Sequence, residues 1–537
     1  MPKTISSLVF LLFILKGLLA QQLLTVAESS DYLRTSTYEE VKSFIRQLQK
    51  QYANIAVETM GTTVEGRDIP LMIIADPLPA SPEDLKNDDR LVVYIQANIH
   101  AGEIEGKESA LMLARDILGH DKDQFLEDLV ILIVPIFNAD GNEKFSTENR
   151  KTQNGPPSVG IRYNSQNLDL NRDAVKIESP EMAGMIENVL NRWDPYLSID
   201  CHTTNGSKHE EPVTFVWANN PNGDTRLIEY SWSELRPFVK KNMKSRFDVM
   251  AVEYGGFRDF YDPQKGWESV GPEIRYVVNY IGLRNRLSLL LENYTYADYR
   301  TRVKGSYAFL YSVLELCKKD RVRIQEMVRQ ADREVLAGKE SFVVAYETVA
   351  YDEKITLKSY AMRVTPRENY PWPQVDYDFN QPRNYIMPYF CKVIPARSVH
   401  YPVGYLINLQ DREVVRKLQQ HGIVVEQLEE DFTAEVEKFR LSAVTVGERL
   451  FQGHLLTTLK GEYETETRLF AKGTCYISTR QLRGNLAACL LEPECGDGLV
   501  TWNFFDKYLV QQWHGLGEYP VYKVYHQLNF AKTVVRK

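Results

Sequence analysis

The sequence predicts an α/β fold: a mostly parallel or mixed central sheet with helices on both faces, followed by a β-rich domain. Three observations carry this. Between residues 38 and 340, short apolar runs alternate with segments of helical period. The runs are continuously apolar rather than alternating, as in strands covered on both faces. After residue 340 the composition changes, and residues 360–405 hold seven prolines and no helical period. A chain of 537 residues also exceeds one ordinary domain.

In chain order, Lys3 and the apolar run Leu8–Leu15, with Ala20 ahead of Gln21, read as a cleaved signal peptide over residues 1–20. The run is shorter than the roughly 20 residues that span a bilayer, so the expected product is exported, periplasmic or extracellular. Residues 21–340 form the expected catalytic domain. Val41, Phe44, Ile45 and Leu48 repeat at helical spacing within 39–52. Leu91–Ile99, Leu129–Phe137, Tyr196–Cys201 and Leu287–Leu291 read as strands, and Glu105–Leu118, Glu181–Trp193 and Ser306–Leu336 as helices. Residues 341–537 read as a separate β-rich module. Its proline-dense start excludes helix and central strand. Val403–Leu409, a helix near Arg412–Gln420, and strands Gly422–Val425 and Leu469–Ser478 follow.

Composition excludes several function classes. The net charge is −8 and no basic stripe occurs, which argues against nucleic acid as a partner. Six cysteines without a C-x-x-C pair are neither a disulfide scaffold nor a thiolate zinc site. Cys489 and Cys495 are the closest pair, and Cys201 reads as a buried thiol.

The chemistry lies in the first domain. His100 and Glu103 form an H-x-x-E pair at a strand-to-helix turn, where two ligands three apart can converge on one metal ion. Such a pair recurs by chance, so a third ligand from another strand end is needed. His202 follows the run Tyr196–Cys201, and Glu292 closes Leu287–Leu291, where a carboxylate can act on a metal-activated water. With nine histidines in the chain, two at strand ends in matching context are informative.

At this point the chain resembles the carboxypeptidase A-like zinc metallopeptidases, the funnelins. The resemblance rests on six places: His100–Glu103; Pro135–Gly141, with Ala139 where the family pattern has proline; Asn149–Thr152; Asp169–Arg172; Ser198–His202; and Leu290–Glu292. It spans roughly residues 38–320, and the β-rich end is similar to modules of exported bacterial relatives, with a local pattern at Gly496–Asp506. The resemblance implies one zinc held by His100, Glu103 and His202, with Glu292 as general base. It further implies an oxyanion contact from Arg150, a carboxylate clamp from Asn171 and Arg172, and Asp169 hydrogen-bonded behind His100. The family's mobile substrate-side tyrosine has several upstream counterparts here, Tyr254, Tyr261, Tyr276 and Tyr280, and Tyr280 is the one expected to take that role. Arg284 and Arg286 could meet an acidic substrate group or stabilise a turn, and Val277 lies near the stretch that sets side-chain preference.

The function so implied is a zinc metallocarboxypeptidase that hydrolyses a C-terminal peptide bond of substrates with a free C-terminus. Two alternatives stay open. One is a related zinc amidase or endopeptidase on cell-wall peptides or acylated amino acids. The other is a non-catalytic peptide-binding protein on the same scaffold, against which the retention of Glu292 counts.

Overall fold

The computed structural model describes residues 23–120, 124–204, 206–409, 412–510, 513 and 515–536. The expected signal segment, residues 1–20, lies outside them.

The apolar runs of the first half become the strands of one mixed sheet. In chain order the strands are β1 (Ile55–Thr62), β2 (Asp68–Ile74), β3 (Leu91–Ala97), β4 (Leu129–Val134), β5 (Leu197–Thr204), β6 (Val213–Trp217), β7 (Ala251–Glu253), the short β8 (Gly256–Phe257) and β9 (Trp267–Glu268), and β10 (Leu287–Tyr294). Eight of them pair in the order β1-β2-β4-β3-β5-β10-β6-β7. The central four, β4, β3, β5 and β10, are parallel, and antiparallel strands flank them. Every residue of β3, β4 and β10 is buried, which is why these stretches read as unbroken apolar runs.

Strand pleating sorts their side chains into two clusters. Val93 and Ile95 point to one face, with Phe44 of helix Tyr38–Gln51, Leu113 of Glu105–His120 and Phe309 of Tyr299–Lys319. Helix Tyr38–Gln51 has a capping box between Thr37 and Glu40 and buries Tyr38, Val41, Phe44, Ile45 and Leu48. A cap contributes about 1 kcal/mol and each large apolar side chain about 1.5–3 kcal/mol, so docking rather than capping holds this helix. Val92 and Tyr94 point to the other face, against the 180–190 helix, helix Val277–Leu283 and side chains of the β-rich half such as Phe342, Tyr405 and Leu486.

That half comprises β11 (Ser341–Ala350), β12 (Ile355–Thr365), β13 (Gln374–Met387), β14 (Tyr389–His400), β15 (Gly404–Ile407), β16 (Glu426–Leu428), β17 (Phe432–Val446), β18 (Thr457–Phe470), β19 (Cys475–Ser478), β20 (Val521–Val524) and β21 (Lys532–Val534). Seven form a sheet in the order β18-β17-β20-β15-β19-β16-β21, β12 and β13 form a two-stranded ribbon, and β11-β14-β9-β8 form a sheet that draws two strands from before residue 340. Sheet pairing and a shared core therefore cross that position.

Four expectations need correction here, one being that Leu469–Ser478 is no single strand, since β18 ends at Phe470 and β19 starts at Cys475 after a turn. The proline-dense stretch does form strands, and β14 pairs with β9 at Tyr389 and Phe390 and with β11 as well at Phe390. Pro395 sits beyond those two residues, where only β11 is a neighbour, and Pro382 sits beside the register shift of the β12–β13 ribbon. Each proline thus occupies an edge or an irregularity, where a missing N–H costs no ladder bond. Residues 422–425 do not make a strand, because Gly422 turns the chain at φ 80° before β16. The 306–336 helix is two helices, Tyr299–Lys319 and Arg321–Ala337, meeting at Asp320.

Candidate active site

Three parallel strand ends meet at one corner of the sheet. After β3, Asn98 adopts a left-handed φ of 66°, and its amide donates to Ala101 O at 3.1 Å and Glu103 O at 3.3 Å, folding residues 98–103 back on themselves. The glycines that bracket Glu103 are sterically required. A Cβ on Gly102 would lie 2.7 Å from Arg150 Cδ, and one on Gly106 would lie 2.5 Å from Cys201 Cβ. Parallel pairing of β5 and β10 sets Glu292 beside His202 in register, so both project to the same side of the sheet.

His100, Glu103 and His202 converge here, all buried, with one ligand atom of each within 4.8 Å of the others. His100 Nδ1 lies 3.2 Å from Glu103 Oε1, and His202 Nδ1 lies 3.1 Å from both His100 Nδ1 and Glu103 Oε2. His100 Nε2 faces Asp169 Oδ1 at 2.9 Å, and His202 Nε2 lies 2.8 Å from Asp200 Oδ2 as an ion-pair contact. With the outer nitrogens facing carboxylates, the inner Nδ1 lone pairs and the Glu103 oxygens all aim at one point. Lone pairs at that spacing repel unless a cation or a proton lies between them. Two imidazole nitrogens and one carboxylate, with carboxylates behind the rings, form a donor set that fits zinc. Burial alone would lower the His202 pKa, but Asp200 and Glu103 hold it well above the ordinary range. Burial would raise Glu103, but His100 and Arg150 hold it well below.

A cleft of about 200 Å³ opens beside this corner, and Glu292, Asn171, Arg172, Arg162, Tyr254 and Tyr276 are in its wall. Burial, offset in part by His202 and reinforced by Glu103, pushes Glu292 up to about 8. The Glu292 charge, with burial, raises the Tyr254 hydroxyl above its ordinary range. Asn171 Oδ1 accepts from Val277 N at 3.0 Å. The Arg172 guanidinium donates to Asn171 O at 2.8 Å and lies 4.6 Å from the centre of the Tyr276 ring.

Arg150 lies behind the corner rather than in the cleft wall. Its guanidinium donates to Glu103 Oε1 at 2.8 Å, to Thr203 O at 2.9 Å and to Gln153 Oε1 at 2.9 Å. Asp169 accepts from Arg162 at 2.8 Å on the oxygen that does not face His100.

Tyr280 is a correction. It is fully buried, its hydroxyl donates to His421 Nδ1 at 2.8 Å, and it has no part in the cleft wall. The extended N-cap backbone of Tyr276 and the rise of one turn along the helix explain this. Tyr276 stands at the N-terminus of helix Val277–Leu283 and faces the cleft, while Tyr280 is one turn further on, against the β-rich half. Arg284 donates to Leu190 O at 2.7 Å and Arg286 pairs with Asp194 and Asp332, so both are structural, as is the buried Val277.

Sequence reasoning missed Arg162 and Asp200, and it offered the cleft tyrosines Tyr254 and Tyr276 as candidates without selecting either. Asp200 had a signal, because a residue two before His202 on a strand shares its face. Arg162 had none, since it belongs to no quoted motif and reaches Asp169 only through the irregular 159–169 segment.

The chain is similar to several known proteins. The profile of the zinc carboxypeptidase family matches residues 41–213, which include His100, Glu103, Asp169, Arg172 and His202 but not Glu292. Carboxypeptidase 2 of Trichophyton rubrum is 21% identical over 496 residues, covering 88% of this chain and 85% of its own. The probable carboxypeptidase 2 of Arthroderma benhamiae is 22% identical over 485 residues, covering 86% and 84%. A metallo-carboxypeptidase structure from Burkholderia cenocepacia, at 19% identity, covers 52% of this chain and 69% of its own with a TM-score of 0.39. With a family match over the first two ligand-bearing strand ends and relatives aligned along most of its length, the chain is similar to the zinc carboxypeptidase family over residues 41–213.

Proposed function

We propose that the chain is an exported zinc metallocarboxypeptidase, with one zinc per chain, that removes a residue from the free C-terminus of peptides. Residues 21–340 form its catalytic part and 341–537 its β-rich part. The observation that carries this reading is a guanidinium, Arg172, in the same small cleft as Glu292 and the His100–Glu103–His202 corner. Export rests on the residue 1–20 pattern. Among the described residues no helix is long and apolar enough to cross a membrane.

Zinc bound by His100, Glu103 and His202 would supply Lewis acidity for polarising the scissile carbonyl and activating water. The remaining steps belong to the chain. Arg172, with the Asn171 amide, holds the substrate carboxylate, for which a planar guanidinium offers a bidentate fork. Glu292 takes a proton from the attacking water and returns it to the leaving amine, and its raised pKa suits both transfers near neutral pH. Positive charge for the oxyanion comes from Arg162 in the cleft wall, while Arg150, bound to Glu103 and Thr203 O, orients the carboxylate ligand. Asp169 and Asp200 fix the outward nitrogens of the two histidines, leaving Nδ1 of each free to ligate.

The test is hydrolysis of N-blocked dipeptides by the zinc-loaded chain lacking residues 1–20. Substrates with a free C-terminus should be cleaved at least about 100-fold faster than their amides, the scale of one or two lost charge-assisted hydrogen bonds. Equal rates on acid and amide would remove the exopeptidase assignment and favour the amidase or endopeptidase reading.

A further inference from the structure

We propose that the β-rich half is part of the substrate site, with Asp497 and Gln452 as positioning residues that set the Asn171–Arg172 clamp and its neighbour Tyr276. This rests on reading Arg172 as a carboxylate-binding residue.

Two turns of the β-rich half reach the cleft wall from outside. The first carries Asp497, which is 4% exposed. One of its carboxylate oxygens accepts from Arg275 N at 2.6 Å and Arg275 Nε at 3.2 Å, and the other accepts from Trp502 Nε1 at 3.1 Å. The Arg275 guanidinium lies over the rings of Phe451 and Trp502, at 5.2 and 5.3 Å. The backbone just before Tyr276 is therefore fixed by a buried charge-assisted pair and two aromatic faces, all from beyond residue 450.

The second turn joins β17 to β18. Gln452 adopts φ 53° there, and its side-chain oxygen accepts from Asp169 N at 2.8 Å. His454 of the same turn contacts Glu178 Oε1 at 2.8 Å. Asp169 opens the Asp169–Arg172 segment, so Gln452 holds the start of the clamp while Asn171 Oδ1, bonded to Val277 N, ties the clamp to the segment Asp497 holds. Arg172 is left between them against the Tyr276 face. Removing either outside contact frees a backbone N–H on one side of this loop pair and lets Arg172 shift from the corner. A displaced guanidinium loses part of its two-point grip on the carboxylate, so the cost falls on binding rather than on turnover.

The variants are Asp497→Asn, which keeps the size and one acceptor but loses the charge, and Gln452→Gly, which removes the side chain at a backbone angle glycine adopts freely. The full mature chain, zinc-loaded, is assayed for KM and kcat on a free-acid dipeptide. It is also titrated calorimetrically with an N-benzoyl amino acid, a product-like carboxylate, with zinc content and Tm measured in parallel. Expected for each variant is a KM and a Kd for the free acid raised about tenfold, with kcat within twofold, one zinc retained, and the slow turnover of the corresponding amide unchanged. Asp497→Glu should recover part of the loss. Unchanged Kd for the carboxylate in both variants, or loss only in proportion to a fall in Tm and zinc, overturns the proposal. A wild-type chain that binds the carboxylate but fails to cleave would contradict the peptidase reading and leave the positioning readout, Kd, intact. A wild-type chain that does not bind it overturns both.

Discussion

His202 and His421 are both buried, at 3% and 0% exposure, yet their surroundings push them in opposite directions. The nitrogens of His202 face carboxylates, Glu103 at 3.1 Å and Asp200 at 2.8 Å, and its pKa stands well above the ordinary range. The nitrogens of His421 face the Tyr280 hydroxyl at 2.8 Å and Val175 O at 3.0 Å, with the Lys417 and Arg284 charges nearby, and burial with those charges lowers it to about 3. Burial is common to both, so the sign of the neighbouring charges decides. An imidazole walled by anions is a place for a cation. An imidazole between a hydroxyl and a carbonyl, with cations around it, is a neutral packing element that joins the two halves.

The largest test of this contrast is Glu292→Gln. It should lower kcat by about 10²–10⁴-fold, the usual contribution of a general base, while bound zinc stays at the wild-type level. Wild-type turnover in this variant would remove Glu292 from the chemistry. Next is Asp200→Asn, which strips one anion from behind His202 and should weaken zinc binding about 10–100-fold in a chelator competition. An unchanged affinity would mean that Asp200 does not orient the ring.

The smallest effect belongs to His421. Its folded-state pKa is depressed to about 3, so in the folded chain it stays neutral where the unfolded chain binds a proton. The stability it contributes is fully present above about pH 6.5 and is lost as pH falls toward 3, at up to about 1.4 kcal/mol per pH unit. His421→Gln should flatten the pH dependence of urea unfolding between pH 6.5 and 4 without altering zinc content. An unaltered slope would show that His421 is not held neutral.

Much of the fold is legible because buried parallel strands leave continuous apolar runs: Leu129–Val134 and Leu287–Leu291 need no partner to be read as strands. The corner is legible for a related reason. Strand ends are where an open α/β sheet gathers side chains, and His100, Glu103, His202 and Glu292 all stand at such ends. What is not legible depends on geometry between distant segments. Arg162 reaches the cleft through an irregular loop, and the choice between Tyr276 and Tyr280 turns on which end of one short helix borders the cleft. The contacts from Asp497 and Gln452 span more than 200 residues of sequence with no pattern to mark them. Strand β14 is hidden by its prolines, because only the pairing shows that Pro395 sits where no neighbour asks for its N–H.

The most direct measurement is the zinc stoichiometry of the purified chain, set beside two single-histidine variants. The arrangement of His100, Glu103 and His202 predicts one tightly held zinc per chain, lost in His202→Ala and fully retained in His421→Gln. A chain that takes up no zinc, or that holds it equally well without His202, would contradict the account at its centre.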